Sequence, residues 1–400
     1  MQDEVIKAGP FSGLERRASM TLGAIMGLRM LGLFMVLPVF ALYAEGLVGA
    51  SAFLAGLALG IYGLTQAVLQ VPFGMLSDRL GRKPVIIFGL LVFALGSLVA
   101  AGAESIYGVI AGRALQGAGA IAAVLTALLA DLTRPEQRAK AMAVMGISIG
   151  GSFVLAIVLG PLLARWIGVP GIFLLTAVLA VGAIGFLLLL PDNAAAGTAP
   201  EDNGRLRDAL SDPVLLRLDL GIFMLHTVLM ASFVVLPLVL RDAVGLPAEQ
   251  HGYVYLAVMV AAVIAMIPLV MRADTVARSM RVLRVAIALL VLALTALALA
   301  GSSVLLVVGG LWLFFVGFNA LEATLPALVS RAAPATGKGA ALGVYSGAQF
   351  LGAFAGGLLG GALSGWLGIP WVFAGAALLT LGWLVLGTGI RWRKSAALRH

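Results

Sequence analysis

The sequence predicts an all-α integral membrane protein with twelve transmembrane helices, arranged as two six-helix bundles related by a pseudo-two-fold axis along the membrane normal. Of the 400 residues, 62% are hydrophobic and only 11% are charged, whereas a soluble domain carries about 25% charged residues. So small a charged fraction cannot cover a surface that faces water, but it fits a surface that faces lipid. A regular series of apolar runs and an internal repeat are the other two observations behind this prediction.

Twelve apolar runs are long enough to cross a bilayer, which takes about 20 residues as a helix. The predicted spans are 19–43, 53–76, 84–103, 106–130, 139–164, 170–190, 216–240, 250–271, 282–300, 303–329, 339–366 and 370–390. The long polar segment 191–215 is interpreted as a cytoplasmic linker, with a short surface helix over 205–210. The predicted domains are an N-terminal bundle (1–190), this linker, and a C-terminal bundle with a short basic tail (216–400).

Lysine and arginine are concentrated in alternate gaps between the spans. If the N-terminus is cytoplasmic, 22 of the 26 lysines and arginines lie on the cytoplasmic side. Only Arg165 and Arg241 lie in outer loops, while Arg29 and Arg113 lie inside spans. Basic residues are retained on the cytoplasmic side of membrane proteins, so both termini are predicted to be cytoplasmic, in a bacterial inner membrane.

Composition also argues against several classes of function. The chain has no cysteine and three histidines, so neither a disulfide nor a metal site is expected. Its net charge of +8 is spread between apolar runs rather than along one stripe, which argues against nucleic-acid binding. It has no nucleophile–base set and no Gly-Lys-Ser/Thr phosphate loop, which argues against an enzyme and an ATP-driven pump.

Two short sequence patterns of the first half of the chain recur in the second half. The segment Trp166-Ile-Gly-Val-Pro170 recurs as Trp366-Leu-Gly-Ile-Pro370, in each case before the last span of a bundle. A second set recurs around the ends of spans two and eight: Pro72, Met75, Asp78 and Arg82 match Pro268, Met271, Asp274 and Arg278. Parallel repeats of this kind place a substrate site near the membrane midplane, between the two bundles.

The loop between spans two and three reads Gly74-Met-Leu-Ser-Asp78-Arg79-Leu-Gly81-Arg82-Lys83-Pro84. It resembles the signature loop of the major facilitator superfamily, called motif A, and fits the pattern Gly-x-Leu-x-Asp-Arg-x-Gly-Arg-Lys at every position. The order of polar residues elsewhere is similar to that of the YajR-like branch, whose members are proton-linked and of the drug-efflux type. These residues are Arg29, Gln116, Asp131, His226 and Glu322.

The loop residues also suggest a physical role. Gly74 would allow close helix approach, and Gly81 would permit a turn with positive φ. Arg82 can pair with Asp78 and with Asp131, at the inner end of span four. The resemblance implies that this cluster latches the two bundles together at the cytoplasmic side; alternatively, its basic residues only fix orientation. The predicted latch consists of Gly74, Asp78, Arg79, Gly81, Arg82, Lys83 and Asp131.

Ionisable residues inside the spans are the next candidates, because a charge at mid-bilayer costs at least about 2.5–3.5 kcal/mol. Glu322 in span ten would exchange protons near neutral pH if its surroundings are apolar, and His226 in span seven titrates in the same range. Arg113 lies in a segment that resembles motif B, whose arginine is linked to proton coupling. Arg29 lies about 15 Å deep in span one.

These four residues are predicted to serve proton coupling, and each has a simpler alternative. Glu322 could stay permanently protonated, and His226 could be a neutral, packed side chain. Arg113 could extend to the outer surface, and Arg29 could be purely structural. Asp219, near the start of span seven, is interpreted as a helix-start or surface charge.

Neutral polar side chains inside the spans are candidates to line a substrate cavity, although each could equally join helices. They are Tyr62, Gln66, Gln70, Gln116, Asn319, Tyr345 and Gln349. In span five, Gly150, Gly160 and Pro161 are similar to the antiporter motif of the superfamily. That motif has glycines where Ala156 and Ala164 stand here.

Together these features predict a monomeric secondary transporter that exports small amphipathic or apolar compounds in exchange for protons by alternating access. Its partners would be membrane lipids and the small-molecule substrate, with the proton as coupling ion and no other cofactor. Two alternatives stay open. One is uptake of a small solute by proton symport or uniport, and the other is a membrane sensor or receptor that binds without transporting.

Overall fold

The computed structural model describes residues 10–191, 203–334 and 337–387. Fourteen α-helices follow one another in these residues: α1 (Gly13–Phe34), α2 (Leu37–Ala44), α3 (Ala52–Leu80), α4 (Arg82–Ala101), α5 (Ile106–Ala118), α6 (Ala122–Asp131), α7 (Arg138–Leu188), α8 (Asn203–Ser211), α9 (Pro213–Leu238), α10 (His251–Met271), α11 (Val276–Ala298), α12 (Val304–Ala332), α13 (Lys338–Trp366) and α14 (Ile369–Gly382). Short π-helical turns over Val239–Ala243 and Trp383–Gly387 extend α9 and α14. The predicted all-α membrane fold is confirmed.

Eleven helical segments of the described chain are long and apolar enough to cross a membrane. They accommodate twelve spans because α7, with 51 residues, contains spans five and six, which meet at a non-helical residue, Gly168. Spans one and four are each built from two helices, α1 with α2 and α5 with α6. The helix predicted in the linker is present as α8, whereas 192–202 and the basic tail from 388 onward lie outside the described residues.

The repeated Trp-x-Gly-x-Pro segments form equivalent corners. Gly168 has φ of 68° and Gly368 has φ of 96°, a backbone region that costs glycine little and other residues much. Pro170 and Pro370 follow two residues later, at the start of the next span, where a missing N–H is tolerated. Their shared geometry supports the predicted internal repeat.

The turn that carries the signature loop is a single residue long. Helix α3 ends at Leu80 and α4 begins at Arg82. Between them Gly81 has φ of 92°, as expected from the sequence, because a side chain there would be strained. This short connection fixes the last turn of α3 beside the first turn of α4.

By contact, the chain divides into two compact units. The first consists of Met1–Tyr43, Leu47–Gly49 and Thr65–Pro200, and the second of Ala44–Gly46, Ala50–Leu64 and Glu201–His400. The predicted domains followed chain order, whereas the first part of α3 groups with the second unit. There a Cβ on Gly56 would overlap the carbonyl oxygen of Gly357, and Tyr62 packs edge-on against Phe350 at 6.1 Å.

Small residues bring helices together inside the first unit. Gly23 and Gly27 of α1 lie against Ser148 and Ser152 of α7, and the Ser152 hydroxyl donates to the Gly27 carbonyl at 2.8 Å. Lipid supplies no hydrophobic force between helices, so close van der Waals packing and such hydrogen bonds hold them.

The second unit has a matching contact between α9 and α13. Gly352 and Gly356 of α13 lie against the main chain of Phe223 and Thr227 of α9, and the Thr227 hydroxyl donates to the Gly352 carbonyl at 3.2 Å. This contact fixes the register of the two helices, because each glycine faces one particular turn of α9.

Replacing Gly356 with alanine should lower the thermal midpoint of the purified protein. The new Cβ would overlap the Thr227 carbonyl oxygen, and overpacking typically costs about 1–3 kcal/mol. The matched control is Gly347→Ala on the same helix, where no atom lies within 4 Å of the added Cβ. That control should be neutral or gain up to about 1 kcal/mol of helix propensity. Equal midpoints for the two variants in detergent would contradict this packing.

Candidate functional site

Three charges of the predicted latch meet at the α3–α4 turn. The Arg82 Nε lies 3.1 Å from Asp131 Oδ2, and its Nη1 contacts Asp78 and donates to the Ser77 hydroxyl at 2.6 Å. Arg82 is largely covered, with 14% of its side chain exposed. The Gly81 turn and the end of α6 therefore bring together the three residues that the sequence predicts to pair; a latch between bundles stays a prediction.

The other loop residues have different surroundings. The Lys83 ammonium donates to the Leu190 carbonyl at 2.6 Å, which joins the start of α4 to the end of α7. Arg79 is exposed. No atom lies within 4 Å of a Cβ built on Gly74, so the expected close helix approach at this glycine is wrong for this structure.

A second ion pair at the same end of the first unit was not predicted. Arg134 donates to both carboxylate oxygens of Glu15, from Nε at 2.8 Å and from Nη2 at 2.9 Å. Glu15 also accepts from the main chain of Ser12, completing an N-terminal cap on α1. The hydrogen bond to Glu15 raises the pKa of Arg134, so the pair stays charged. Only the Ser-x-x-Glu capping pattern at 12–15 signals this site in the sequence.

The segment of the second unit that matches the signature loop retains one ion pair, but the residue in the place of Asp131 differs. Arg278 contacts Asp274, four residues apart as Arg82 and Asp78 are. Asp131, at the end of span four, has its equivalent position at the end of span ten near Arg331, which donates to the Asp274 carbonyl at 3.4 Å. An acid in the first unit thus corresponds to a base in the second, and the two clusters differ in charge.

Arg29 is fully buried inside the first unit, where its partners come from three other elements. Its Nη2 donates to Gln66 Oε1 at 2.6 Å and to the Gly119 carbonyl at 3.0 Å, and its guanidinium lies 5.2 Å from the centre of the Phe93 ring. The Gly119 carbonyl lies at the interruption between α5 and α6 and accepts from the Ile121 N–H at 2.9 Å as well as from Arg29. Such charge-assisted hydrogen bonds contribute about 1.5–3 kcal/mol each.

Arg113 is also buried, with 1% of its surface exposed, so the alternative that it extends to the outer surface is wrong. Its Nη1 donates to Gln116 Oε1 at 3.0 Å, and Gln116 in turn donates to the Ser97 hydroxyl at 2.7 Å. Gln66 and Gln116, predicted as cavity residues, therefore serve as partners of the two buried arginines.

His226 and Glu322, predicted separately, lie together in the second unit. The His226 Nε2 is 3.5 Å from Glu322 Oε1 and 2.8 Å from the Gln349 side-chain nitrogen. The His226 Nδ1 lies 3.3 Å from the Ile222 carbonyl. His226 is 8% exposed and Glu322 is 32% exposed in their side chains. Helices α9, α12 and α13 each supply one member of this His–Glu–Gln site.

The hydrogen bonds of this site define its proton states. With a proton on Nδ1 for the Ile222 carbonyl, Nε2 accepts from the Gln349 amide, which is the neutral form of His226. A proton on Nε2 would instead need an acceptor, and Glu322 or a rotated Gln349 amide oxygen supplies one. The His226 ring can therefore change its protonation while Nε2 keeps a neighbouring polar group.

The remaining cavity candidates differ in how far they are buried. Gln70 and Tyr345 are buried, while Asn319 is half-buried and contacts the Met259 sulfur at 3.6 Å. In the antiporter-like motif, Gly160 packs against the Met35 carbonyl between α1 and α2, Gly150 has no atom within 4 Å of its Cβ position, and Pro161 lies within α7.

Asp219 is not the surface charge that the sequence suggested. Its side chain is 6% exposed, and neither carboxylate oxygen has a hydrogen-bond partner among the described residues. An exposed position was expected because α9 begins with polar residues. In the folded chain α9 packs against α12, α13 and α14, and Asp219 is covered.

At the opposite end of α9, Arg241 forms an ion-pair cluster that was also missed. Its guanidinium donates to Glu45 at 2.5 and 3.0 Å and to Asp242 at 2.5 and 2.9 Å. In the sequence, Arg241 stands out only as a rare basic residue of a predicted outer loop. Its partner Glu45 is distant in sequence, so only the folded chain reveals the pair.

The chain is similar to known membrane transporters. The family model described as Major Facilitator Superfamily matches residues 22–321 and 218–399. The inner membrane transport protein YajR of Escherichia coli is 46% identical over 381 residues, 94% of this chain and 84% of that protein. The multidrug resistance protein MdtH of Cronobacter sakazakii is 29% identical over 374 residues, 89% of this chain and 87% of that protein. The crystal structure of the nucleoside transporter NupG shares the fold, with a TM-score of 0.72 at 13% identity over 92% of this chain and 98% of that one.

Proposed function

Because the chain belongs to the major facilitator superfamily and is a multi-pass membrane transporter rather than an enzyme, we propose that it exports small amphipathic or apolar compounds in exchange for protons. The observation that carries the proton coupling is the His–Glu–Gln site, His226, Glu322 and Gln349. A carboxyl and an imidazole 3.5 Å apart inside predicted spans are costly there, which favours a functional role for them.

The direction of transport rests on more distant evidence. MdtH bears the name of a multidrug resistance protein, and Gly150, Gly160 and Pro161 keep part of the antiporter pattern. The ionisable groups described inside the spans are few, and Arg29 and Arg113 are held by glutamines. A substrate without strong charge is the class that such a site would accept.

In the proposed cycle, protonation of Glu322 favours one conformation and its deprotonation favours the other. A ligand shifts a conformational equilibrium only through its different affinity for the two states, so proton and substrate must each bind the two states unequally. The Asp78–Arg82–Asp131 cluster would stabilise one state at the cytoplasmic end, as the family resemblance implies.

Proton-driven uptake is the second candidate function. It is favoured by the incomplete antiporter pattern, in which Ala156 and Ala164 replace glycines. Reversing the pH gradient in a flux assay separates the two: an antiporter accumulates substrate in the compartment of higher proton concentration, and a symporter in the opposite one.

Replacing Glu322 with glutamine should abolish the pH dependence of flux in proteoliposomes tested with a panel of drugs and sugars under an imposed pH gradient. The carboxyl that exchanges the proton is gone, so proton-driven flux should fall about a hundredfold or more. The control is Glu104→Gln, an exposed carboxylate outside the site, which should leave flux unchanged. Retained proton-driven flux in Glu322→Gln would refute the coupling role of this residue.

Replacing Asp78 with asparagine should impair transport without reducing expression or membrane insertion, because one of the two carboxylates that contact Arg82 loses its charge. Its effect should be several-fold on the flux rate, consistent with a partly exposed ion pair of about 1 kcal/mol. Glu104→Gln alters an exposed carboxylate outside the predicted latch and serves as the control. Normal flux in Asp78→Asn would count against the latch.

At either terminus, a fused green fluorescent protein should fluoresce and a fused alkaline phosphatase should be inactive, because the charge distribution places both termini in the cytoplasm. Paired fusions of alkaline phosphatase and green fluorescent protein measure this in intact cells. Fusions after Gly49 and after Gly245, in two predicted outer loops, provide controls of opposite sign. An external signal from either terminus would overturn the proposed topology and, with it, the assignment of the latch to the cytoplasmic side.

A further inference from the structure

A row of arginines lies on the surface of the second unit, where α10 ends and α11 begins. Residues 272–284 contain four arginines and one carboxylate. Three of the arginines, Arg278, Arg281 and Arg284, follow at intervals of three along α11, and residues three apart are neighbours on a helix surface. All three are exposed. These three residues, the arginine ridge, form a positive strip over the first turns of α11.

Acidic partners are scarce around this ridge. Asp274 contacts Arg278, and this is the only ion pair that residues 272–284 form within the described chain. Arg331, at the end of α12, donates to the Asp274 main-chain carbonyl at 3.4 Å and brings another positive charge to the turn. Arg272, two residues before Asp274, is exposed as well. The positive charge of this surface therefore exceeds what its one carboxylate can neutralise.

Helix stability does not explain the ridge. The Thr275 hydroxyl caps α11 by accepting from the Arg278 N–H at 3.3 Å, which places Arg278 in the first turn. The positive end of the helix macrodipole disfavours a cation there, and like charges one helical turn apart repel. Membrane orientation requires basic residues near the end of a span, but it does not require them on one face. A bound anion would offset both costs.

The internal repeat shows that two of these arginines are particular to the second unit. When the two loops are aligned, Arg281 and Arg284 correspond to Val85 and Phe88 of α4. Phe88 is 54% exposed, so the position of Arg284 points outward in both units. The first unit presents an aromatic ring there and the second a cation. These two arginines therefore serve something other than the loop charges that the units share.

The ridge leads into the side of α11 that faces lipid. Val285 and Leu292 lie four and eleven residues after Arg281, so the three share one side of the helix. Both apolar side chains are exposed, and exposed apolar surface of this kind marks contact with the membrane. The Arg284 Nε donates to the Met280 carbonyl at 3.3 Å, so this side chain turns back toward the start of α11. Basic side chains at the membrane boundary extend in this way to bring their charge to the headgroups.

We propose that the arginine ridge binds the headgroup of an anionic glycerophospholipid at the predicted cytoplasmic end of α11, with the acyl chains of the lipid along Val285 and Leu292. Guanidinium groups donate paired hydrogen bonds to phosphate oxygens, and clustered basic residues at the end of a span attract anionic lipids. The occupant is a lipid rather than a free anion because the cations and the exposed apolar side chains share one face. This site is independent of the direction of transport and of the coupling ion.

Native mass spectrometry of the purified full chain in detergent tests the proposal. Titration with phosphatidylglycerol and with phosphatidylcholine gives a dissociation constant for the first bound lipid of each kind, and wild-type protein should bind phosphatidylglycerol more tightly. Arg281→Gln/Arg284→Gln should weaken phosphatidylglycerol binding about 25-fold, because each arginine near a membrane surface contributes about fivefold. The matched control, Arg16→Gln/Arg165→Gln, removes two exposed arginines elsewhere and should retain wild-type affinity.

Three results would overturn the proposal. These are equal affinity for the two lipids, an unchanged constant in Arg281→Gln/Arg284→Gln, and displacement of phosphatidylglycerol by inorganic phosphate at constant ionic strength, which would assign a site for free anions. If the double variant does not insert, the single variants Arg281→Gln and Arg284→Gln should each weaken binding about fivefold, and wild-type affinity in both would refute the site. An equal loss of binding in the control would trace the effect to net charge and refute it as well.

Discussion

The constraint on which this structure depends is that lipid offers no hydrogen-bond partner to a polar group. Each unsatisfied group in the hydrocarbon region costs several kcal/mol, so polar side chains within the spans must find partners in the protein. The Arg29 Nη2 meets this demand with Gln66 and with the Gly119 carbonyl at the break in span four. Arg113 meets it with Gln116. The break in span four and two buried glutamines thus supply partners to the two buried arginines.

Close helix packing has the same origin. Without a hydrophobic force between helices in lipid, contact area must come from small residues that let backbones approach. Gly23 and Gly27 do this between α1 and α7, and Gly352 and Gly356 between α9 and α13. The second contact also sets the register in which Gln349 reaches His226. Packing glycines and the proposed proton site are thus parts of one arrangement.

The two halves of the chain resemble each other more in backbone conformation than in the ionisable side chains they bury. The corners at Gly168 and Gly368 are equivalent, and the Asp78–Arg82 and Asp274–Arg278 pairs match. Buried cations lie in the first unit, whereas Asp219, His226 and Glu322 lie in the second. A duplicated scaffold that holds fixed positive charge in one unit and titratable groups in the other can assign structural and coupling roles to separate halves.

How much could be read from the sequence depends on the range of the interaction. Composition, apolar run length and lysine and arginine spacing are properties of the chain itself, so the all-α membrane fold followed directly. The loop motif carried the resemblance to the family and predicted the Gly81 turn. The loop motif also predicted which charges meet at Arg82, because the family resemblance encodes that contact. The Glu15–Arg134 and Arg241–Glu45 pairs join residues far apart in sequence and left no local pattern beyond an N-terminal cap.

The amino-acid sequence alone was enough to predict that the chain crosses the membrane many times and that a few ionisable residues lie inside it, because the cost of exposing polar groups to lipid acts on every segment separately. Which of those residues become neighbours depends on how the helices pack in the folded chain. Glu322 and His226 were identified one at a time, and Asp219 was misjudged as exposed, since burial of a position near a helix start depends on what packs against it. The packing of α9 and α12 brings His226 and Glu322 together, and no property of a single segment specifies that packing.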